Sequence, residues 1–204
     1  MAHLLCVRHG ESTWNADKRW QGWADAPLSD LGEEQAREAA ARLTGLAFDA
    51  VFASDLQRAR RTAELLAPGR DIVVEPLVRE RDVGDWSGLT TQEIESRWPG
   101  QIEAWRTGRI PSPPGGEDNG EFTARVVRGV EHIATRVGDD GVALVVVHGG
   151  VVRALERAAD EDALTLPNLG GRWFDVTPGA GSPLRAGDIV RLTDPTTPTE
   201  APVF

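Results

Sequence analysis

Short apolar runs alternate along the chain with segments whose apolar residues recur every three or four positions. The runs are typical of buried strands, and the periodic segments are typical of amphipathic helices. Strands are predicted at HLLCV (3–7), AVFA (50–53), IVVE (72–75), VALVVV (142–147), RWFDVT (172–177) and DIVRLT (188–193). This order predicts an α/β fold, a three-layer sandwich in which helices flank both faces of a mostly parallel sheet.

Polar residues that cap helices mark the beginnings of several periodic segments. Ser29 and Ser54 each precede such a segment and can cap a helix there. Thr90 and Glu93 have the spacing of a capping box. The apolar face of a long helix is traced over residues 122–137, so helices are predicted between most of the strands.

The carboxyl ends of parallel strands meet at one edge of a sheet, and ligands bind beyond that edge. Arg8 and His9 directly follow the first predicted strand, and His148 directly follows the VALVVV strand. We therefore expect the two histidines to share one pocket although they are far apart in the sequence.

The chain has 204 residues, of which 40% are hydrophobic and 26% are charged, which is the balance of a folded protein. We expect one domain over residues 1–194 with a helical insertion near 90–120, and a flexible tail over residues 195–204. The run HLLCV before Arg8 has five residues, four of them apolar, which is too short for a signal-peptide core, and no run approaches a membrane span. A cytoplasmic location is therefore expected.

The chain is acidic, with 22 basic and 32 acidic residues and a net charge of −10. This charge disfavours nucleic acid and anionic membranes as partners. An anionic ligand therefore requires arginines that converge locally. Cys6 is the only cysteine, so no intramolecular disulfide can form, and its position in an apolar run predicts a buried packing thiol.

The candidate catalytic residues lie after strands or at the beginnings of helices: Arg8, His9, Arg58, Glu80 and His148. Two guanidiniums offer forked donors that match phosphate oxygens. A neutral imidazole can attack phosphorus, a second histidine can donate to the equatorial oxygens, and a protonated carboxylic acid can release the alcohol. The set is suited to phosphoryl transfer.

These residues lie in motifs that resemble the histidine phosphatase superfamily, in its branch similar to cofactor-dependent phosphoglycerate mutases. The motifs occur in the family's order: RHGESTWN (8–15), SDLQRARRTA (54–63), RERDVG (79–84) and VVVHGG (145–150). The resemblance implies that His9 is the nucleophile and that Glu80 is the acid/base. It implies a phosphate-binding role for Arg8 and Arg58 and makes His148 the second histidine.

The resemblance also assigns substrate-binding positions, which are Ser12, Asn15, Gln21, Gly22 and Gly149. It implies a phosphohistidine that water hydrolyses without a metal or an organic cofactor. Glu80 must be protonated when the alcohol leaves, and burial beside a phosphate dianion would raise its pKa. We therefore expect an acidic to neutral pH optimum on a small phosphorylated metabolite.

Two further functions stay open, a phosphoglycerate mutase and a module that only binds a phosphorylated ligand. RHGESTWN is close to the mutase form of the first motif, but Val83 and Gly150 stand where the mutases carry Tyr and Asn. Hydrolysis is therefore favoured. A metal site is disfavoured because no HxH or HExxH spacing occurs, and Ser12 lacks the GxSxG context of an esterase nucleophile. The oligomeric state is open, with a homodimer among the alternatives.

Trp14, Trp20 and Trp23 crowd the segment after the nucleophile. They predict either a loop pinned by aromatic packing or a lipophilic or sugar-stacking wall above the phosphate. Glu117 in the GGE loop stays an open candidate. The two remaining histidines, His3 and His132, are expected to be structural.

Overall fold

The computed structural model describes residues 1–181 and 183–193, which form one six-stranded sheet with helices on both faces. The strands are β1 (Ala2–Arg8), β2 (Ala50–Ala53), β3 (Ile72–Val74), β4 (Val142–Val147), β5 (Gly170–Val176) and β6 (Leu184–Arg191). Their order across the sheet is β3-β2-β4-β1-β5-β6. The predicted tail at 195–204 lies outside the described residues.

The sheet is mixed, because its two halves pair in different ways. β1, β2, β3 and β4 pair in parallel, whereas β5 pairs antiparallel with β1, and β6 pairs antiparallel with β5. The predicted parallel sheet is confirmed for the first four strands. The last two strands are joined by a short turn rather than by a crossover helix, and such a connection produces antiparallel neighbours.

The helices are α1 (Thr13–Ala16), α2 (Asp30–Ala40), α3 (Gln57–Leu66), α4 (Thr91–Arg97), α5 (Gln101–Arg106), α6 (Asn119–Val137) and α7 (Gly149–Ala158). Ser29 caps α2, and the capping box of Thr90 and Glu93 begins α4, as predicted. The prediction that Ser54 begins a helix is wrong. α3 begins at Gln57, whose N–H donates to the Asp25 carboxylate at 2.6 Å.

The central strand β4 is buried on both faces of the sheet, as its continuous apolar sequence predicts. Alternate residues of the strands face two separate apolar cores. On one face Leu4 and Cys6 pack in the core that includes α6 and α7, and on the other Leu5 and Val7 pack in the core that includes α2 and α3. The helices thus enclose the sheet and leave its carboxyl edge for a site.

A third, smaller apolar cluster joins the predicted insertion to segments that precede it in the chain. Trp20 and Trp86 pack there with Ile94 of α4 and Ile102 of α5. The two short helices are therefore anchored to the loop that follows the first motif. Among the described residues, no helix is both long and apolar enough to cross a membrane.

Candidate active site

The register of two neighbouring strands, β1 and β4, brings the two predicted histidines together. Arg8 pairs with Val147 at the ends of β1 and β4, so the next residues, His9 and His148, lie side by side. Their ring centroids are 5.2 Å apart in an edge-to-face arrangement. The two histidines, 139 positions apart in the sequence, therefore share one edge of the sheet as predicted.

The imidazole of His9 is held as a neutral group with one free ring nitrogen. Its Nδ1 lies 2.7 Å from the Gly10 carbonyl oxygen, to which only a protonated Nδ1 can donate. Burial lowers the pKa of His9 well below its usual 6.5, and the charges of Arg58 and Arg8 lower it further. The proton therefore stays on Nδ1, and the Nε2 lone pair is left to act as a nucleophile.

Arg58 fixes both this nitrogen and the loop beside it. Its Nε donates to His9 Nε2 at 3.3 Å. Its terminal nitrogens donate to the carbonyl oxygens of Ala24 at 2.7 Å and Gly22 at 2.9 Å. The side chain is 1% exposed, so its position is set by these three contacts.

His148 lies behind His9 and does not line the cavity. It is fully buried, and its Nε2 lies 2.8 Å from the hydroxyl oxygen of Ser54. Its Nδ1 has no hydrogen-bond partner within residues 1–181 and 183–193. Burial, followed by the charge of Arg58, lowers the pKa of His148 well below 6.5, so the ring is neutral. If the Ser54 hydroxyl donates to Nε2, the proton of the ring lies on Nδ1.

Glu80 lies against the beginning of α7, across the cavity from the sheet. Its carboxylate oxygens accept from the backbone N–H groups of Arg81 at 2.8 Å and Gly150 at 3.0 Å. A Cβ atom on Gly150 would lie 2.1 Å from Glu80 Oε1. A residue with a side chain at this position would therefore displace the carboxylate.

Arg8 and the backbone of His9 are fixed by a segment that the sequence did not predict. Arg8 Nη1 donates to the Leu166 carbonyl at 2.7 Å, and Asn168 Nδ2 donates to the His9 carbonyl at 2.9 Å. The Leu166 carbonyl and the Asn168 amide both belong to the loop before β5. Among the described residues the other nitrogens of Arg8 have no acceptor, so they can bind a ligand.

The site is a cavity of about 380 Å³. The predicted site residues that line it are Arg8, His9, Asn15, Gln21, Gly22, Arg58, Glu80 and Gly149. The others, Ser12 and His148, lie behind its wall. Its further lining residues are Trp20, Arg81, Val83, Trp105, Arg106, Gly108, Asn119, Thr123, Gly150, Arg153 and Arg157.

Ser12 supports the wall rather than facing a ligand. It is fully buried and caps α1, and its hydroxyl donates to Gln21 Oε1 at 2.9 Å or to Asn15 Oδ1 at 3.0 Å. Gln21 and Asn15 are thereby held at the cavity surface. This geometry agrees with the rejection of Ser12 as an esterase nucleophile.

The tryptophans divide between packing and the cavity. Trp20 packs edge-on against Trp86 and Trp105 with centroids 5.4 and 5.8 Å away, and it also lines the cavity. Trp23 is 42% exposed and donates from Nε1 to the Glu80 carbonyl at 2.7 Å. Trp14 packs beside Gly88. The pinned-loop interpretation therefore describes most of their contacts.

The other candidates lie outside the cavity. Glu117 forms an ion pair with Arg125 at 2.7 Å. His3 lies 2.7 Å from Asp175, and His132 lies 2.6 Å from Glu75. Neither histidine lines the cavity. Burial raises the pKa of the Cys6 thiol to about 12, which suits a packing residue.

Sequence reasoning missed several residues of the site, among them Ser54, Asn168, Arg81, Arg153 and Arg157. A signal existed for the last two, because they follow Gly149 at intervals of four, which is the spacing of residues on one helix face. No local signal marks Ser54 or Asn168. Within the described ranges, no group of three or more His, Cys, Asp or Glu side chains is placed to hold a metal ion.

Comparison with known proteins gives a consistent family. The model of the histidine phosphatase superfamily (branch 1) matches residues 4–179. A 2,3-bisphosphoglycerate-dependent phosphoglycerate mutase of Methylobacterium sp. (strain 4-46) is 37% identical over 176 residues, covering 81% of this chain and 85% of the relative. The corresponding mutase of Methylobacterium radiotolerans is 40% identical over 166 residues, covering 77% of this chain and 78% of the relative.

A solved structure of a mycobacterial glucosyl-3-phosphoglycerate phosphatase in complex with VO3 has the same fold. Its TM-score is 0.81 at 29% sequence identity, and the match covers 93% of this chain and 98% of that chain. The relatives thus include both mutases and a phosphatase.

Proposed function

The chain belongs to the histidine phosphatase superfamily, and on that premise we propose that it hydrolyses the phosphomonoester of a small phosphorylated metabolite through a phosphohistidine on His9. The observation that carries this proposal is the state of His9. Its Nδ1 donates to the Gly10 carbonyl, and its unprotonated Nε2 lies at the cavity beside Arg58. A nucleophile of this kind needs no further base.

In the first step His9 Nε2 attacks phosphorus, a P–N bond forms and the P–O bond to the alcohol breaks. Glu80 gives its proton to the leaving oxygen. Arg8, whose remaining nitrogens have no acceptor among the described residues, would bind the equatorial oxygens as negative charge spreads over them, and the buried His148 would support His9 from behind. In the second step Glu80 takes a proton from water, the water oxygen attacks phosphorus, and the P–N bond breaks to release phosphate.

The contact between Glu80 and Gly150 supports hydrolysis over the mutase reaction. The mutases resembled by this sequence carry Asn at that position, and any side chain there would meet the Glu80 carboxylate as it lies here. Glu80 can therefore lie at the beginning of α7, on the cavity wall, where it can contact a water molecule. General acid–base catalysis of this kind typically contributes about 10²- to 10⁴-fold.

The mutase remains the second candidate, because the relatives at 37% and 40% identity are named as mutases. The two activities share the phosphohistidine and differ in the acceptor, which is water or a phosphoglycerate. The cavity residues that would bind a second phosphoglycerate oxyanion are therefore relevant to both.

The test is phosphate release from a panel of phosphomonoesters, including 3-phosphoglycerate, without added metal. Wild type, His9→Ala and His132→Ala are compared, because His132 is a histidine outside the cavity. We expect hydrolysis that His9→Ala lowers by at least about 10³-fold and that His132→Ala retains. Isomerisation of 3-phosphoglycerate with little free phosphate would establish a mutase instead, and inertness of wild type would leave a binding module.

A further inference from the structure

The cavity holds more positive charge than a single phosphoryl group requires. Its lining residues include six arginines and one carboxylate, that of Glu80, in a chain whose net charge is −10. Arg8 and Arg58 lie beside His9 and suffice for a phosphoryl dianion. The other four arginines, here called the outer arginines, lie farther from His9, where α7 and the insertion face each other. They are Arg81, Arg106, Arg153 and Arg157.

Two of the outer arginines, Arg153 and Arg157, lie one turn apart on α7 and share the face that begins with Gly149. A Cβ atom built on Gly149 would lie 3.5 Å from both Arg153 Nη1 and Arg8 Nε. The guanidinium of Arg153 is thus adjacent to the inner pocket. Arg157 is exposed and continues the same row toward the cavity mouth.

The contacts of these two guanidiniums within the described residues set them apart from the structural arginines. Within the described residues, Arg153 and Arg157 donate no side-chain hydrogen bond and have no carboxylate within ion-pair distance, although the charges of Glu80 and Glu156 attract Arg153. Arg125 provides the contrast, because its guanidinium donates to Glu117 and to the carbonyl oxygens of Leu77 and Arg79. Arg125 is a structural residue, whereas the donors of the α7 pair stay free to bind a ligand.

Arg81, another of the four outer arginines, forms a fixed wall opposite this pair. Arg81 lies over the ring of Phe122 at 4.2 Å and donates to Asn119 Oδ1. Burial lowers its pKa to about 10, and the charges of Arg157 and Arg153 act in the same direction. Like charges gathered in this way destabilise the empty cavity, and an anion between them would relieve the repulsion.

We propose that Arg153 and Arg157, with Arg81 as the opposite wall, form a second oxyanion subsite that binds a carboxylate or phosphate on the alcohol part of the substrate. This inference rests on the proposed phosphatase function. It narrows the substrate class to phosphomonoesters that carry a second negative group beyond the scissile phosphate. Forked guanidinium donors match either oxyanion.

The test uses pairs of substrates that differ only in the second charge. 3-Phosphoglycerate is compared with glycerol 3-phosphate, and fructose 1,6-bisphosphate is compared with fructose 6-phosphate. For wild type we expect kcat/KM to be about 10- to 100-fold higher for the doubly anionic member of at least one pair, as charge-assisted hydrogen bonds usually give. A preference in the 3-phosphoglycerate pair would show that the subsite binds a carboxylate, and a preference in the fructose pair would show that it binds a phosphate.

In Arg157→Gln and Arg153→Gln the ratio within that pair should fall toward one. Arg128→Gln, which removes an exposed arginine of α6 outside the cavity, should keep the wild-type ratio. If wild type hydrolyses both members of each pair equally well, or the α7 variants keep the ratio, the subsite is wrong and the phosphatase function stands.

Calorimetric titration of the His9→Ala protein separates binding from catalysis. The same pairs should show a Kd difference of similar size that Arg157→Gln removes in the His9→Ala background. If wild type hydrolyses nothing, the phosphatase function fails, and the titration still decides whether the second oxyanion is bound. Equal Kd values within every pair would overturn the subsite in that case as well.

Discussion

Two groups of arginines line the same cavity, and they differ in how their donors are used. Arg58, at the inner end, donates to His9 and to two backbone carbonyls, so its guanidinium is fixed before any ligand arrives. Arg153 and Arg157, on α7, have no acceptor within the part of the chain that the structure describes. The first arrangement is preorganised for chemistry, and the second can adapt to a ligand.

The difference follows from what each part of the cavity must bind. The transferred phosphoryl group is the same in every phosphomonoester, and a rigid set of donors stabilises its transition state without reorganisation. The alcohol part differs from one substrate to another, and long side chains without fixed partners can follow it. Substitutions of inner residues should therefore lower turnover of all substrates, whereas substitutions of outer residues should change the preference among substrates.

The largest effect is expected for Arg58→Ala. The substitution removes the donor to His9 and the support of the loop at Gly22 and Ala24, so kcat/KM should fall by about 10³-fold for every substrate. Arg61→Ala is the matched control, because Arg61 is an exposed residue of the same helix that pairs with Glu33. A loss of less than about tenfold, or a loss confined to one substrate, would contradict the preorganised role of Arg58.

Gly150→Ala should have the next largest effect. The new Cβ would lie 2.1 Å from the present position of Glu80 Oε1, so the carboxylate must move. We expect kcat to fall by about 10²-fold, which is within the range of general acid–base catalysis. Gly181→Ala is the control, since a Cβ there meets no atom of the described residues within 4 Å. Unchanged kcat in Gly150→Ala would show that Glu80 does not act from this position.

Ser54→Ala should have a smaller effect through His148. The hydroxyl lies 2.8 Å from His148 Nε2, and its loss leaves the tautomer of the ring unfixed. We expect kcat to fall by about tenfold with little change in KM, together with a changed tautomer of His148 in ¹⁵N NMR spectra. A lower kcat with the same tautomer would mean that Ser54 acts only through packing.

The inner histidines should also make stability depend on pH. Burial lowers the pKa of His9 and His148 below 6.5, whereas the unfolded chain titrates near that value. Below about pH 6.5 the unfolded state therefore binds more protons than the folded state. As the pH falls through this range, the free energy of unfolding decreases by up to about 1.4 kcal/mol per pH unit for each histidine.

Urea denaturation between pH 7.5 and 5.5 measures this slope. His148→Gln should remove the contribution of one histidine, whereas Arg157→Gln should keep the wild-type slope because an exposed arginine stays charged throughout this range. Equal slopes in wild type and His148→Gln would show that His148 is protonated in the folded protein.

Much of the fold followed from local patterns. Continuous apolar runs predicted the buried strands, and the capping residues Ser29 and Thr90 marked two helix beginnings. The error at α3 has a physical reason. Its first N–H is satisfied by Asp25, which lies 32 residues earlier, and the Ser54 hydroxyl contacts His148 instead. A cap supplied from a distant loop leaves no signal beside the helix.

The sequence by itself determined which candidate residues meet at the site. The parallel order of strands placed His9 and His148 at one edge, and the ordered motifs named Arg8, Arg58 and Glu80. These assignments need only the residue types and their positions relative to the strands, because a parallel sheet brings the carboxyl ends of its strands to one edge.

Only the tertiary structure decided which residues support or extend that chemistry. The contact of Glu80 with Gly150, and the loop at Asn168 that binds the His9 backbone, join positions far apart in the chain. The free donors of Arg153 and Arg157 could be recognised only once their surroundings were known. Whether a side chain's donors are already used depends on every segment packed around it. These segments are distant in sequence, so no local pattern predicts which donors stay free.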